Sequence, residues 1–167
     1  KVISGELSTA VAVTEPEAGS DVASIRTHAR RYGDVWVLNG SKMFITNGVH
    51  ADLVFVAART DTSAKGSRGL SIFAVKKGTP GFRVGRALKK SGWLASDTAE
   101  LVFDDCRIPA DQLIGEENAG FYAIMRNFQT ERIALGSMAV GHCLTALDLA
   151  YRYVNERKAF GAALWEK

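Results

Sequence analysis

Three short segments of the sequence hold residue types in arrangements that can do chemistry. The first centres on Glu131. It falls three residues after Phe128, seven after Ile124 and four before Leu135, so a helix through this region sets its carboxylate on the apolar stripe itself. Partial desolvation there raises a carboxyl pKa toward the range of a general base. The same residues allow a structural reading: a salt bridge to the adjacent Arg132, or a slight rotation that puts Glu131 at the edge of the stripe. The second segment is Ala12-Val13-Thr14-Glu15-Pro16-Glu17-Ala18-Gly19-Ser20-Asp21. A strand runs here into a turn of small residues, hydroxyls and free backbone N–H groups, which suits an anion cradle or, equally, a turn capped by Asp21. Its spacing matches neither Gly-x-Gly-x-x-Gly nor a P-loop. The third is Lys42-Met43-Phe44-Ile45-Thr46-Asn47-Gly48. Phe44 and Thr46, two apart on a strand, face the same side and suit a flat ring with one hydrogen bond, although core packing gives the same pattern.

The other reactive residues form no constellation. Cys106 and Cys143 are far apart, without Cys-x-x-Cys or metal-ligand spacing, and read as two ordinary thiols in a reducing compartment. His28, His50 and His142 make no His-x-x-x-His pair, so no metal site is expected. A hydrolase built from Ser20, Asp21 and His50 lacks a Gly-x-Ser-x-Gly elbow.

The elements that must position these residues change character near Pro109. Before it, apolar runs at Leu7–Thr14, Val35–Leu38, Lys42–Thr46, Leu53–Arg59, Leu70–Lys76, Phe82–Val84 and Ala99–Phe103 alternate with turn residues. Asn39-Gly40 between two of these runs predicts a hairpin, and the polar Asp61–Arg68 stretch predicts an exposed loop. Short strands without intervening helices predict a mainly β fold, an antiparallel barrel or sandwich. After Ile114-Gly115 the period becomes helical, with Phe121, Ile124, Phe128, Leu135 and Met138 on one stripe and Leu144, Leu147, Tyr151 and Val154 continuing it. Glu116, Glu117 and Asn118 suit the helix start, and Gly136–Gly141 predicts a kink or break between two helices. Two helices alone leave a wide apolar face uncovered, which predicts an incomplete bundle. The expected division is 1–114 for the β domain and 115–167 for the helices.

Composition sets the outer bounds. The chain has 167 residues, 47% hydrophobic and 23% charged, with 21 Lys and Arg against 18 Asp and Glu. That excludes a disordered chain. No run approaches the ~20 apolar residues of a bilayer crossing, so no membrane span is expected. The sequence pI of about 9.0 is mildly basic, but Lys and Arg are scattered, which disfavours nucleic acid. The chain starts at Lys1 and ends in helical character at Ala163–Lys167, so it is expected to be a piece of a longer protein.

Over essentially its whole length the sequence resembles the acyl-CoA dehydrogenase family. Ala12–Asp21 is similar to the family's first signature, and Phe44-Ile45-Thr46 to its flavin-facing strand, where many members carry Trp at the position of Phe44. Gly92–Thr98 through Asp104–Pro109 is similar to the end of its middle β domain, and Arg157-Lys158-Ala159-Phe160-Gly161 to its Arg-x-x-Phe-Gly element. The resemblance implies a middle β domain followed by the first helices of a C-terminal four-helix bundle. It implies bound FAD, held by Val13, Thr14, Gly19, Ser20, Phe44, Ile45 and Thr46, with Arg157 and Phe160 reaching the FAD of a neighbouring subunit in a homo-dimer or homo-tetramer. The Gln129-Thr130-Glu131-Arg132-Ile133 run looks like the isovaleryl- and long-chain-type placement of the catalytic base, so Glu131 is the implied base. Ser20, Tyr122, Gln129 and Arg132 are the implied contacts to the acyl-CoA, with Gln129 standing where several relatives carry Asp. The implied reaction is α,β-dehydrogenation of an acyl-CoA to a trans-2-enoyl-CoA, with electron-transferring flavoprotein as acceptor. The implied location is the bacterial cytoplasm or the mitochondrial matrix. The alternative is a non-catalytic fragment or a flavin- or acyl-CoA-binding module of such an enzyme.

Overall fold

The structure, a computed structural model, describes residues 1–64 and 66–167. Two compact units divide the chain, Lys1–Ala123 and Ile124–Lys167.

The first unit is a β domain. Its strands are β1 (Thr9–Ala12), β2 (His28–Tyr32), β3 (Val35–Thr46), β4 (Leu53–Arg59), β5 (Leu70–Lys76), β6 (Phe82–Ala87), β7 (Thr98–Pro109) and β8 (Leu113–Ile114). They form one eight-stranded sheet in the order β6-β7-β3-β2-β4-β5-β8, with β1 also on β4. Most pairings are antiparallel, as alternating apolar runs with short connections predict. β4 departs from this: β1 lies parallel to it over Leu53–Val56, and β2 is parallel to it at Arg59. The sheet is therefore mixed, and its strand order does not close into a barrel.

Alternation along β3, β4, β5 and β7 buries Trp36, Leu38, Val54, Val56, Phe73, Val75, Leu101 and Phe103 in one core. Trp36 meets Phe73 edge-on at 5.0 Å between ring centroids, and Phe82 stacks on Phe103 at 5.0 Å.

The Asn39-Gly40 pair does not make the expected hairpin. Val35–Thr46 is one continuous strand, and its hairpin to β2 turns instead at Gly33-Asp34, where Tyr32 pairs with Val35 and Gly33 has φ +59°. Asn39 uses its amide on β7: its Nδ2 donates to Asp105 Oδ1 at 3.1 Å, and Asp105 N donates to Asn39 Oδ1 at 2.8 Å. Gly40 serves a close approach, because a Cβ there would lie 2.7 Å from Thr27 Cα. Two bulges on opposite strands then shift the β3–β7 register. One puts Asp104 and Asp105 opposite Asn39, and the other puts Met43 and Phe44 opposite Glu100. The expected Asp61–Arg68 loop is a turn region in the described residues, with Lys65 lying outside them; Asp61 Oδ1 accepts from Ser63 N at 2.8 Å and Ala64 N at 3.2 Å.

Helix α1 (Gly120–Glu156) runs unbroken for 37 residues, so neither a break nor a second helix occurs at Gly136–Gly141. Two glycines there cost roughly 1 kcal/mol each in propensity, too little to interrupt a helix with strong formers on both sides. Its first turn lacks acidic residues, because Glu116, Glu117 and Asn118 precede it as a turn. Asn118 anchors that turn, taking a hydrogen bond from Thr60 Oγ1 at 2.7 Å and donating its N–H to Ser71 Oγ at 2.8 Å. Most of the apolar stripe is exposed, including Leu135, Met138, Leu144, Leu147 and Tyr151. An 18-residue window of α1 reaches a mean hydropathy of 1.5, which by length and composition alone is enough to cross a membrane. The sequence still holds no apolar run of ~20 residues; Ile133, Leu135, Val140, Leu144 and Leu147 set the average, in a stretch without charge between Arg132 and Asp148. After α1, β9 (Lys158–Ala159) and β10 (Ala162–Ala163) pair across Phe160-Gly161, whose φ values of +52° and +79° are those of a type I′ turn.

Candidate functional site

The Ala12–Asp21 segment and the bulged end of β3 fold against each other, and a buried ion pair joins them. Lys42 is 0% exposed, and its Nζ donates to Glu15 Oε1 at 2.8 Å and to the Val13 carbonyl at 2.9 Å. Glu15 also accepts the backbone N–H groups of Arg26 at 2.6 Å and Thr27 at 3.0 Å. Burial drives the Lys42 ammonium down to about 8, against the opposing pull of Glu15. Burial pushes the Glu15 carboxyl up, but Lys42 and the Arg26 and Thr27 hydrogen bonds outweigh it, so the group stays below the ordinary carboxylate range. The bulge also frees Met43 N from the ladder, and it donates to the Thr14 carbonyl at 2.8 Å.

The expected anion cradle is thus partly a structural clamp. Its carboxylate faces inward, and Asp21 makes no capping bond to the short 3-10 turn Val22–Ser24, its side chain accepting instead from Ser24 Oγ. Gly19 and Ser20 are exposed, with open space where a Gly19 side chain would lie. Val13 is buried and Thr14 half-buried beside the bulge.

At the bulge Phe44 is 65% exposed, Ile45 is buried, and Thr46 is exposed. Phe44 has φ +61°, a conformation that costs a bulky residue of order 1–3 kcal/mol and is held only where its surroundings impose it. An exposed aromatic and a hydroxyl on one edge, beside the Val13–Thr14 backbone, fit a flat heteroaromatic ring system. Strict alternation would have set Lys42 on the same side as Phe44 and Thr46. The extra bulge residue reverses that parity, which is why the buried Glu15–Lys42 pair is the feature of this region that period counting misses. The signal available was a lysine inside an apolar strand, a residue buried almost only when paired.

The middle-domain model of the acyl-CoA dehydrogenases matches residues 10–106, and the C-terminal domain model of the same enzymes matches residues 118–167. The chain belongs to the acyl-CoA dehydrogenase family. It is 47% identical over 162 residues to the mitochondrial long-chain specific acyl-CoA dehydrogenase of Mus musculus, covering 96% of this chain and 38% of that protein. To the mitochondrial isovaleryl-CoA dehydrogenase of Pongo abelii it is 44% identical, with the same coverage. The crystal structure of acyl-CoA dehydrogenase from Geobacillus kaustophilus superposes with a TM-score of 0.95 at 48% identity, covering 99% of this chain and 44% of that one. The chain therefore spans about two fifths of the length of these relatives.

The helical residues form a second set, on α1 and the turn that follows it. Glu131 is exposed, so the desolvation expected from the stripe is not met within this chain. No Glu131–Arg132 salt bridge forms among the described residues; Asn127 Nδ2 donates to Glu131 Oε1 at 2.5 Å, and Arg132 lies 5.8 Å from the Phe128 ring centroid. Tyr122, Gln129 and Arg132 are exposed. Past the helix, Arg157 is exposed and Phe160 is 96% exposed at the tip of the β9–β10 turn. Among the described residues no group of His, Cys, Asp and Glu could hold a metal. Cys106 is buried, its thiol pushed up to about 11 by burial, and Cys143 is exposed; the two form no disulfide.

Proposed function

We propose that this chain is the middle β domain, residues 1–114, and the first part of the helical domain, residues 115–167, of an FAD-dependent acyl-CoA dehydrogenase. The observation that carries the reading is the clamped edge where Phe44 and Thr46 stand exposed beside Val13 and Thr14, in a chain that also matches the family's helical module. When bound, FAD supplies the two-electron oxidant of an α,β-dehydrogenation.

The residues divide the work. Phe44 offers a flat apolar surface and Thr46 a hydroxyl donor, while Val13 and Thr14 contribute backbone beside them. Gly19 and Ser20 sit at an open turn whose N–H and hydroxyl groups suit a phosphate. Glu131 takes the α-proton of the thioester. That proton is acidic enough only when hydrogen-bond donors polarise the thioester carbonyl. Tyr122, Gln129, Arg132 and Ser20 contact the acyl-CoA, and Arg157 and Phe160 reach the cofactor of a second copy in a homo-dimer or homo-tetramer. Covering the exposed face of α1 with further helices would take Glu131 out of water. The product is a trans-2-enoyl-CoA, the acceptor an electron-transferring flavoprotein, and the setting the bacterial cytoplasm or the mitochondrial matrix.

The exposure of Glu131 favours a second reading for the chain by itself: a flavin- or acyl-CoA-binding module without turnover. A visible spectrum of the full-length protein tests the main reading. Flavin bands that bleach on anaerobic addition of an acyl-CoA are expected. A colourless protein after incubation with FAD would overturn it.

A further inference from the structure

We propose that Lys42 and Glu15 are positioning residues that fix the cofactor-facing edge of β3, an inference that rests on the FAD reading above. The two make no contact with the exposed edge themselves. Their side chains lie inward, yet they tie the Val13–Glu15 segment and the start of β2 to β3.

Six hydrogen bonds build the frame. Lys42 Nζ holds the Val13 carbonyl at 2.9 Å and Glu15 at 2.8 Å. Glu15 in turn holds the Arg26 and Thr27 amides at 2.6 and 3.0 Å, where the chain enters β2. Thr27 is buried against Gly40 of β3, with Thr27 Oγ1 donating to the Ser41 carbonyl at 3.3 Å. Met43 N completes the loop by donating to the Thr14 carbonyl at 2.8 Å. The result is a closed frame of Val13, Thr14, Glu15, Thr27, Lys42 and Met43.

The bulge lies inside that frame and Phe44 at its rim. Phe44 sits at φ +61° and is about two-thirds exposed, so its own packing does not impose the conformation. Strain of this kind persists only when the surroundings over-determine it. The frame is the part of the surroundings built tightly enough to do so: a charged pair at 0% and 6% exposure with its acceptors matched to donors. A buried ion pair is weak evidence for stability alone, since apolar residues of similar volume often serve as well. Its use here is geometric. It sets the parity that turns Lys42 in and Phe44 and Thr46 out.

The test uses the full-length holoenzyme with Lys42→Met and Glu15→Gln, the latter nearly isosteric. A third variant, Val75→Ala, removes core volume in β5 away from the frame and serves as a control for stability loss. FAD affinity is measured by titrating the apoprotein well below each melting transition, and visible circular dichroism reports the environment of the bound flavin. Both frame variants are expected to bind FAD about tenfold or more weakly and to show an altered flavin dichroism. Val75→Ala is expected to melt earlier but keep wild-type affinity and dichroism. Wild-type affinity and dichroism in Glu15→Gln and in folded Lys42→Met would overturn the positioning role while leaving the FAD reading intact. Loss of affinity in Val75→Ala equal to that in Glu15→Gln would also overturn it, as general destabilisation would then explain both. A wild-type protein that takes up no FAD would overturn the reading and the inference together.

Discussion

Replacing Gly40 by alanine is expected to destabilise the β domain far more than the same change at Gly33, and the structure sets the size of the gap. At Gly33, φ is +59° and a Cβ meets nothing within 4 Å. The cost is the left-handed penalty, about 1–2 kcal/mol, offset by about 0.4–1 kcal/mol of reduced unfolded-chain entropy. A net loss of about 0–1.6 kcal/mol follows. At Gly40, φ is +144°, and a Cβ would lie 2.5 Å from Thr27 Oγ1 and 2.7 Å from Thr27 Cα. The second of these is backbone and cannot rotate away. Strain of about 1–3 kcal/mol adds to overpacking of about 1–3 kcal/mol, less the same offset of about 0.4–1 kcal/mol, so the expected loss centres on about 3 kcal/mol. Urea unfolding followed by far-ultraviolet circular dichroism, with unchanged slope, measures both variants. Equal losses, or a larger loss at Gly33, would refute the claim that Asn39-Gly40 is a close approach within a continuous strand rather than a turn.

Glu15→Gln leaves the buried Lys42 ammonium without its counter-charge and is expected to cost about 3–5 kcal/mol near neutral pH. Because the folded Glu15 pKa lies below its ordinary 4.5, its contribution is present above that value and lost as pH falls through the lower folded pKa. The stability gap between wild type and Glu15→Gln, read by urea unfolding, should therefore narrow below about pH 4.5; a gap independent of pH would contradict the pairing. Lys42 shifts stability in the same direction, but at high pH. Its folded value of about 8 lies below 10.5, so the unfolded chain binds more protons between those values, and its contribution to stability rises across that window. Trp36 Nε1 is buried without a partner among the described residues, so Trp36→Phe should cost about 1 kcal/mol or less in the same assay, against about 3–5 kcal/mol for Trp36→Ala. A Trp36→Phe loss near that of Trp36→Ala would show that the indole N–H has a partner.

Much of the fold was legible because burial on one face writes itself as alternation. β4 and β5 read straight from Leu53–Arg59 and Leu70–Lys76, and those bounds hold. β2 did not, since His28-Ala29-Arg30-Arg31-Tyr32 buries only Ala29 among its five residues and hides its pattern. Its signal lay in the next two residues, Gly33-Asp34, a glycine-first hairpin turn overshadowed by the stronger Asn-Gly dipeptide six residues on. Long-range bonds explain the other differences. Asn39 is claimed by Asp105, 66 residues away, and Lys42 by Glu15, 27 residues away. A bulge changes side-chain parity without leaving any local mark, so the inward turn of Lys42 is invisible to period counting. The candidate site was legible as motifs, because Val13-Thr14 and Phe44-Ile45-Thr46 are read in order along the chain. The clamp between them exists only in three dimensions. Glu131 is the reverse case: its period is plain in the sequence, yet the neighbours that would desolvate it are not among these residues.

The most direct test of the account is turnover by Glu131→Gln in the full-length enzyme, assayed with an acyl-CoA beside a measurement of bound FAD. Removing the base while keeping shape and hydrogen bonding should leave the flavin content at the wild-type level and lower turnover by about 10²–10⁴-fold. Near-wild-type turnover with full flavin content would contradict the assignment of Glu131 as the base.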